Sequence, residues 1–95
     1  MKEAWINDIE GIGQADIFES RGLKECRGVF VPSDPGKAMV AAQEDGARFK
    51  GVVVENGIET VCDFPIIISK STMDSSGSRI EFVATGNPYE GREKN

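Results

Sequence analysis

The strongest local signal in the pattern of hydrophobic and polar positions lies at residues 51–62, where two β-prone runs flank Asn56-Gly57. Both central positions of a type I′ turn require a positive φ angle, which asparagine and glycine adopt with little strain. The spacing therefore predicts a tight β-hairpin with a defined register. The predicted cross-strand pairs are Glu55 with Ile58, Val53 with Thr60, and Gly51 with Cys62.

Three further runs have the composition of β-strands. Residues 24–31 place Cys26 and Phe30 on one face of a strand. Residues 64–68 are continuously apolar, which is typical of a strand that is buried on both faces. Residues 78–84 alternate in the manner of a strand with one buried face. We therefore expect a mainly β (β-rich α+β) fold, a small antiparallel sandwich or partly open barrel of roughly four to six strands with one or two short helices.

The long connection after the first of these strands is predicted to contain a short helix over residues 35–45. Asp34 is suited to cap the free backbone N–H groups of the first turn, and Pro35 suits the first helical position. The apolar stripe of this segment is thin, and a short helix is marginal unless it packs on a larger surface. The alternative is a mobile loop over residues 32–46 that becomes ordered only against a partner.

The two ends of the chain are predicted to lie outside the β-rich domain, which is assigned to residues 23–85. Glycines interrupt the polar residues 1–22, which are expected to be flexible or partly helical. A short helix over Gln14–Arg21, closed by a left-handed Gly22, is one possible element there. Removal of residues 1–20 is accordingly expected to leave the fold intact. Residues 86–95 have the composition of a frayed tail.

The chain has 95 residues, enough for one small domain, and carries a formal charge of -5 from sixteen acidic and eleven basic side chains. Nucleic-acid binding relies on neutralising phosphates, so an acidic chain is a poor candidate for it. No apolar run reaches the roughly 18 to 20 residues that span a bilayer, and the amino terminus has no apolar signal core. We expect a soluble cytoplasmic protein that binds neither nucleic acid nor membrane.

The two cysteines, Cys26 and Cys62, both lie in apolar strand-like runs, and the chain has no histidine. Free cysteine commonly packs as a small hydrophobic residue, so we expect two buried, reduced thiols. A disulfide between them is the alternative, and it would require an oxidising compartment. Without histidine, neither a serine–histidine triad nor an imidazole-based zinc site can form.

Two other patterns were considered as catalytic signals. The run Asp34-Pro35-Gly36-Lys37-Ala38 is not a phosphate loop, because the upstream glycine is missing and Ala38 occupies the position of the magnesium-binding hydroxyl. Close carboxylate pairs are expected on a solvated surface when sixteen side chains are acidic. These pairs are Asp8 with Glu10, Asp16 with Glu19, Glu44 with Asp45, and Glu55 with Glu59. We therefore predict no enzymatic activity, no metal and no cofactor.

The order of the segments resembles a family of phage proteins. A strand with the sequence Arg-Gly-Val-Phe at residues 27–30 precedes a long excursion containing proline and glycine, and apolar strands follow at residues 52–55 and 65–68. This order is similar to that of the head-to-tail joining (attachment) proteins of lambda-like bacteriophages. The resemblance implies a small β-barrel-like virion protein whose flexible amino terminus and long loop are available for assembly contacts, in the host cytoplasm or the virion.

The leading functional hypothesis is a non-catalytic assembly or adaptor protein, plausibly a component of a phage head–tail connector. It would bind larger protein partners through a mobile amino terminus and the excursion over residues 32–47, and an oligomer is compatible with this role. The residues predicted to contact a partner are Trp5, Ile17, Phe18, Asp34, Lys37 and Met39. The alternative is a small acidic inhibitor or immunity-type protein that blocks a basic site on a partner enzyme or complex.

Overall fold

The fold consists of β-strands. A computed structural model describes residues 2–34, Gly36, residues 46–74, residues 77–86 and Pro88. The strands are β1 (Lys2–Ile6), β2 (Ile9–Ser20), β3 (Leu23–Pro32), β4 (Arg48–Glu55), β5 (Ile58–Asp74) and β6 (Gly77–Ala84). The predicted mainly β fold class is confirmed. The predicted helix over residues 35–45 and almost all of the predicted carboxyl-terminal tail lie outside the described residues.

The six strands close into a barrel in the order β1-β2-β3-β6-β5-β4. Neighbouring strands along this order are antiparallel. Closure uses a short antiparallel contact between β1 and β4, and a short parallel contact that pairs Ala15 with Val53 and Asp16 with Val54. Of the two predicted architectures the structure is therefore a barrel, and its apolar side chains are enclosed by a single continuous sheet.

The predicted hairpin at Asn56-Gly57 is present. The φ angles are 53° at Asn56 and 79° at Gly57, and the register pairs Glu55 with Ile58 as predicted. The register also pairs Val53 with Thr60 and Gly51 with Cys62. The turn between β2 and β3 has the same geometry, with φ angles of 53° at Arg21 and 79° at Gly22. Arginine carries no strong preference for positive φ, so this second turn was not recognised in the sequence.

The helix predicted over Gln14–Arg21 is wrong, because residues 9–20 form strand β2. Along this strand Ala15 and Ile17 point towards the core, whereas Asp16 and Phe18 point outward, which is a period of two. β3 pairs with β2 from Leu23 to Pro32, and this long-range pairing outweighs the weak local helical preference.

The amino-terminal strands belong to the barrel and not to a separate segment. Ala4 and Ile6 of β1 and Ala15 of β2 are fully buried in the core. The boundary predicted at residue 22 therefore cuts through a hairpin, and residues 1–20 include two of the six strands. We therefore expect removal of residues 1–20 to expose the core along one side of the barrel, in contrast to the sequence-based expectation that these residues are dispensable.

Phenylalanine rings fill the interior of the barrel, where Phe30, Phe49, Phe64 and Phe82 are fully buried. The centroid of the Phe49 ring lies 5.6 Å from that of Phe64 and 4.5 Å from that of Phe82. Glycine is needed beside these rings: a Cβ atom at Gly51 would lie 2.7 Å from Cζ of Phe49, and one at Gly28 would overlap the Phe82 ring. Large and small residues thus alternate on facing strands, which lets a narrow barrel close around aromatic side chains.

Strand β5 is long because it serves two neighbours. Its first half pairs with β4, and its second half, from Ile66 onward, pairs with β6. The pairing with β6 is irregular at Ser69, whose hydroxyl donates to the carbonyl of Glu81 at 3.1 Å. The prediction that residues 64–68 are buried on both faces is wrong, because Ile66 is buried but Ile67 is 62% exposed. The barrel covers only the inner face of this strand.

Candidate functional site

Two hairpins project from the same end of the barrel. The parallel contact between β2 and β4 gives the β2–β3 and β4–β5 hairpins the same direction. An ion pair of 3.0 Å between Lys24 Nζ and Glu55 Oε2 joins them near their turns. We call residues 17–25 and 55–59 the hairpin end.

The hairpin end carries apolar side chains that the barrel does not cover. Leu23 is 70% exposed, Ile58 is 69% exposed and Phe18 is 41% exposed. These strand ends extend beyond the enclosed core, so their side chains have no interior against which to pack. Ile17 is half-buried and packs on the edge of the core cluster. Several large apolar side chains exposed at one end of a small protein are typical of a protein-binding surface.

A surface pocket of about 510 Å³ lies beside the β2–β3 hairpin. β3 pairs with β6 only from Arg27 to Phe30, so residues 24–26 lie beyond that pairing and border the opening. The pocket wall is partly apolar and partly charged. Its main lining residues are Ile17, Lys24, Cys26, Arg27, Val83 and Pro88. The pocket is thus suited to an apolar side chain with polar groups at its rim.

The charged groups around this pocket are paired with one another. Lys24 pairs with Glu55, and the Arg27 guanidinium lies 3.3 Å from the Glu25 carboxylate. The same guanidinium lies 5.8 Å from the centroid of the Phe18 ring, within the range of a cation–π contact. The four charged side chains nearest the pocket are therefore compensated within the chain.

The predicted buried thiols are confirmed, since Cys26 and Cys62 are both free and buried. Burial, together with charge repulsion from the nearby Cys62 and Asp16, raises the pKa of Cys26 to about 12. The thiol therefore stays protonated at neutral pH. A protonated thiol is a poor nucleophile, so Cys26 contributes to the pocket by shape and not by reactivity.

The predicted contact residues fall into separate regions. Ile17 and Phe18 lie together at the hairpin end, whereas Trp5 lies on β1 opposite Glu10, with Lys50 Nζ 6.0 Å from its ring. Asp34 follows β3 and accepts a hydrogen bond of 3.0 Å from the backbone N–H of Gly36. The two remaining predicted residues, Lys37 and Met39, lie outside the described residues.

Leu23 and Ile58 were missed by the sequence analysis. Each follows directly on the glycine of a two-residue turn, in Arg21-Gly22-Leu23 and Asn56-Gly57-Ile58. An apolar side chain next to a hairpin turn lies beyond the reach of a small core, so this repeated pattern was a usable signal.

Other kinds of site were also sought. The described residues contain no group of three or more histidine, cysteine, aspartate or glutamate side chains that could hold a metal ion. In that same part of the chain, no helix has the length and apolarity needed to cross a membrane. Two carboxylates considered as catalytic candidates are held in ion pairs, Glu55 by Lys24 and Glu59 by Lys2 at 2.6 Å.

The chain was compared with protein-family models, with curated proteins and with solved structures, and none of the three comparisons finds a match. The hairpin end is therefore interpreted from its own geometry and chemistry.

Proposed function

We propose that the protein is a non-catalytic adaptor that binds a larger protein partner through the hairpin end. The observation that carries this proposal is the exposure of Leu23, Ile58 and Phe18 beside a pocket of about 510 Å³, with the neighbouring charges already paired. Interface cores are depleted in unpaired charge and enriched in large apolar side chains, and the hairpin end has both properties.

The energetics favour a protein partner. Burying one leucine or isoleucine side chain contributes about 1.5–3 kcal/mol, so Leu23 and Ile58 together supply a substantial part of a micromolar affinity. Both side chains stand on turns that project outward, and only a partner with a matching concave surface covers them fully. A small ligand in the adjoining pocket would leave the two turns exposed.

The narrower form of the proposal is a head–tail joining component of a phage virion. Its support is the resemblance of the strand order around residues 27–30, 52–55 and 65–68 to that family. In this form the assembly contacts at Ile17 and Phe18 would come from a structured hairpin and not from a flexible amino terminus.

The second candidate function is an acidic inhibitor of a basic site, and the net charge of -5 supports it. Such binding would depend on unpaired carboxylates, and three of the four carboxylates of the hairpin end, Glu25, Glu55 and Glu59, are held in ion pairs. This candidate therefore requires a different surface of the barrel.

The proposal is tested by site-specific photo-crosslinking in a lysate of the cells that naturally make the chain. A photoreactive phenylalanine analogue replaces Leu23 in one sample, Ile58 in a second and Met73 in a third. Met73 is the matched control, because it is also an exposed apolar residue but lies on the β5–β6 hairpin. We expect positions 23 and 58 to capture the same protein and position 73 not to capture it.

A second variant makes the result independent of the crosslinker. The double variant Leu23→Ser with Ile58→Ser should bind the captured protein at least about tenfold more weakly, because two buried apolar contacts are lost. Met73→Ser should bind it as the unaltered protein does. Equal crosslinking from all three positions, or unchanged affinity of the double variant, would rule out the hairpin end as the binding surface.

A further inference from the structure

The outer face of strands β1, β2 and β3 carries apolar side chains next to carboxylates, and it forms a surface distinct from the hairpin end. Alternation along β1 buries Ala4 and Ile6 and turns the intervening positions outward. The equivalent positions of β2 and β3 are also outward. Together they form a surface that we call the acidic face, made of Glu3, Trp5, Glu10, Ile12, Val29 and Val31.

The strand register makes this surface continuous. Ile12 of β2 lies directly opposite Glu3 on β1 and directly opposite Val31 on β3. Trp5 lies opposite Glu10, two positions along the same pair of strands. Ile12 is 45% exposed, and Trp5, Val29 and Val31 are half-buried without belonging to the core cluster. A shallow apolar strip therefore crosses the three strands, with Glu3 beside Ile12 and Glu10 beside Trp5.

The carboxylates of this face are Glu3 and Glu10. Glu3 and Glu10 are exposed, and over the described ranges neither has a cationic partner within ion-pair distance. Glu25, Glu55, Glu59 and Asp63 each form such a pair. Lys50 adjoins the face at its border, close to the Trp5 ring. Lys70 and Arg79 lie beside Val31 at the opposite border of the face. Between these two borders, Glu3 and Glu10 present negative charge next to apolar side chains.

We propose that the acidic face binds a basic amphipathic segment of a second protein. An apolar side chain of that segment would cover Ile12 and Trp5, and flanking lysine or arginine side chains would pair with Glu3 and Glu10. Charge complementarity selects this occupant, because nucleic acid, anionic membranes and a second copy of the same acidic face are all repelled. This surface goes beyond the proposed adaptor role, since it equips the barrel to bridge two proteins.

The test uses a designed eight-residue peptide of alternating leucine and lysine as the probe. Two matched peptides separate the contributions: one replaces every leucine with serine and keeps the charge, and the other replaces every lysine with glutamate. Backbone amide chemical shifts of the full chain are followed by NMR during titration. We expect the leucine–lysine peptide to shift amides of residues 3–5, 10–12 and 29–31, and to bind at least about tenfold more tightly than either control peptide.

Two variants of β2, each replacing a glutamate with lysine, show where on the barrel the peptide binds. Glu10→Lys changes the acidic face, whereas Glu19→Lys makes the same change of net charge at an exposed position of β2 outside it. We expect Glu10→Lys to weaken binding of the leucine–lysine peptide about tenfold or more, and Glu19→Lys to change it by less than about twofold. Ile12→Ser should also weaken binding, because it removes the central apolar contact.

Four outcomes would overturn the proposal: equal weakening by both charge reversals, equal binding of the serine–lysine peptide, shifts centred elsewhere on the barrel, or absence of binding. None of these outcomes affects the hairpin end, which lies further along β2 and is tested with a different partner.

Discussion

Strand β2 contributes side chains to both the hairpin end and the acidic face, but the two surfaces differ in the charges around those side chains. β2 contributes Phe18 to the hairpin end and Ile12 to the acidic face, and both side chains are partly exposed. At the hairpin end Glu25, Glu55 and Glu59 are held in ion pairs, whereas Glu3 and Glu10 of the acidic face have no such partner among the described residues. Exposed apolar side chains alone therefore do not identify the kind of partner. Whether the neighbouring charges are paired within the chain distinguishes binding by apolar contacts from binding that also uses charge complementarity.

This difference in charge also links each of the two functional hypotheses to one of the two surfaces. An assembly contact based on apolar anchors matches the hairpin end, and a contact with a basic protein matches the acidic face. Both surfaces depend on the same barrel. Experiments that disturb the barrel should affect both, and experiments that change a charge or a side chain should affect only one.

The largest effect is expected from removing residues 1–20. The truncated chain lacks β1 and β2 and therefore loses Ala4, Ile6 and Ala15 from the core. We expect loss of cooperative thermal unfolding and loss of binding at both surfaces, measured by circular dichroism and by NMR. A truncated chain that still unfolds cooperatively would show that the amino-terminal strands are an accessory layer.

Thiol reactivity should reveal the pocket at the hairpin end. Because the pKa of Cys26 is raised from 9.0 to about 12, its thiolate fraction near pH 8 is roughly a thousandfold lower than in the unfolded chain. Alkylation of Cys26, followed by mass spectrometry, should be very slow in the folded protein and fast in denaturant. Comparable rates in both states would mean that the base of the pocket is open to solvent.

The same thiol makes stability depend on alkaline pH. The unfolded chain releases this proton near pH 9, whereas the folded chain keeps it until about pH 12. The unfolded state therefore binds fewer protons in this interval, and stability should be complete below pH 9 and fall as the pH rises towards 12. Cys26→Ala should show a smaller decline over this interval in denaturant titrations.

Gly28→Ala should destabilise the barrel without altering either surface directly. The added Cβ atom would overlap the Phe82 ring and approach the carbonyl oxygen of Gln14 at 2.7 Å. Overpacking of this kind decreases the free energy of unfolding by about 1–3 kcal/mol, which denaturant titration measures. Gly86→Ala is the control, because its Cβ atom would make an ordinary contact at 4.0 Å with Pro65. Equal stability of the two variants would contradict the close packing described for the core.

Salt should distinguish the two surfaces. Raising the ionic strength to about 0.5 M reduces the Debye length to a few ångströms, so binding of the leucine–lysine peptide to the acidic face should weaken about tenfold. Binding of a partner at the hairpin end should change by less than about threefold, since its predicted anchors, Leu23 and Ile58, are apolar. Isothermal titration calorimetry at low and high salt measures both affinities. If the affinity at the hairpin end also fell steeply with salt, the two surfaces would not differ in how much charge contributes to binding.

The smallest expected effect concerns the ion pair that links the two hairpins. A double-mutant cycle with Lys24→Ala and Glu55→Ala should give a coupling of about 0.2–1 kcal/mol, because Lys24 is largely exposed. The parallel cycle with Lys2→Ala and Glu59→Ala serves as a comparison, since that pair is exposed on both sides. A coupling well above this range would indicate that the ion pair orders the hairpin end.

Local signals in the sequence were sufficient for part of the fold. Asn56-Gly57 predicted both the turn and the register of β4 with β5, because two positive φ angles are easily adopted by only a few residue types. The alternation at Ile80 and Phe82 likewise identified the inner face of β6. β2 was missed because Gly11 and Gly13 weaken its apolar pattern, although the two glycines are buried positions of that strand.

The candidate site was only partly predictable for a related reason. Ile17 and Phe18 were predicted as contacts from their apolar character, but Leu23 and Ile58 become exposed only because their hairpins extend past the core. The sequence analysis placed Trp5 and Phe18 in one contact region because both lie in the amino-terminal segment of the chain. The barrel instead places Trp5 on the acidic face, opposite Glu10.

Composition, turn chemistry and strand periodicity by themselves determined that this is a small acidic β-rich domain with one tight hairpin at residues 56–57. Tertiary structure decided that the sheet closes into a barrel, that β1 and β2 belong to it, and which carboxylates find cationic partners. The physical reason is the range of the interactions. Turn angles and side-chain alternation act over a few neighbouring residues, whereas barrel closure and ion pairing join groups such as Lys24 and Glu55 that are distant in the chain.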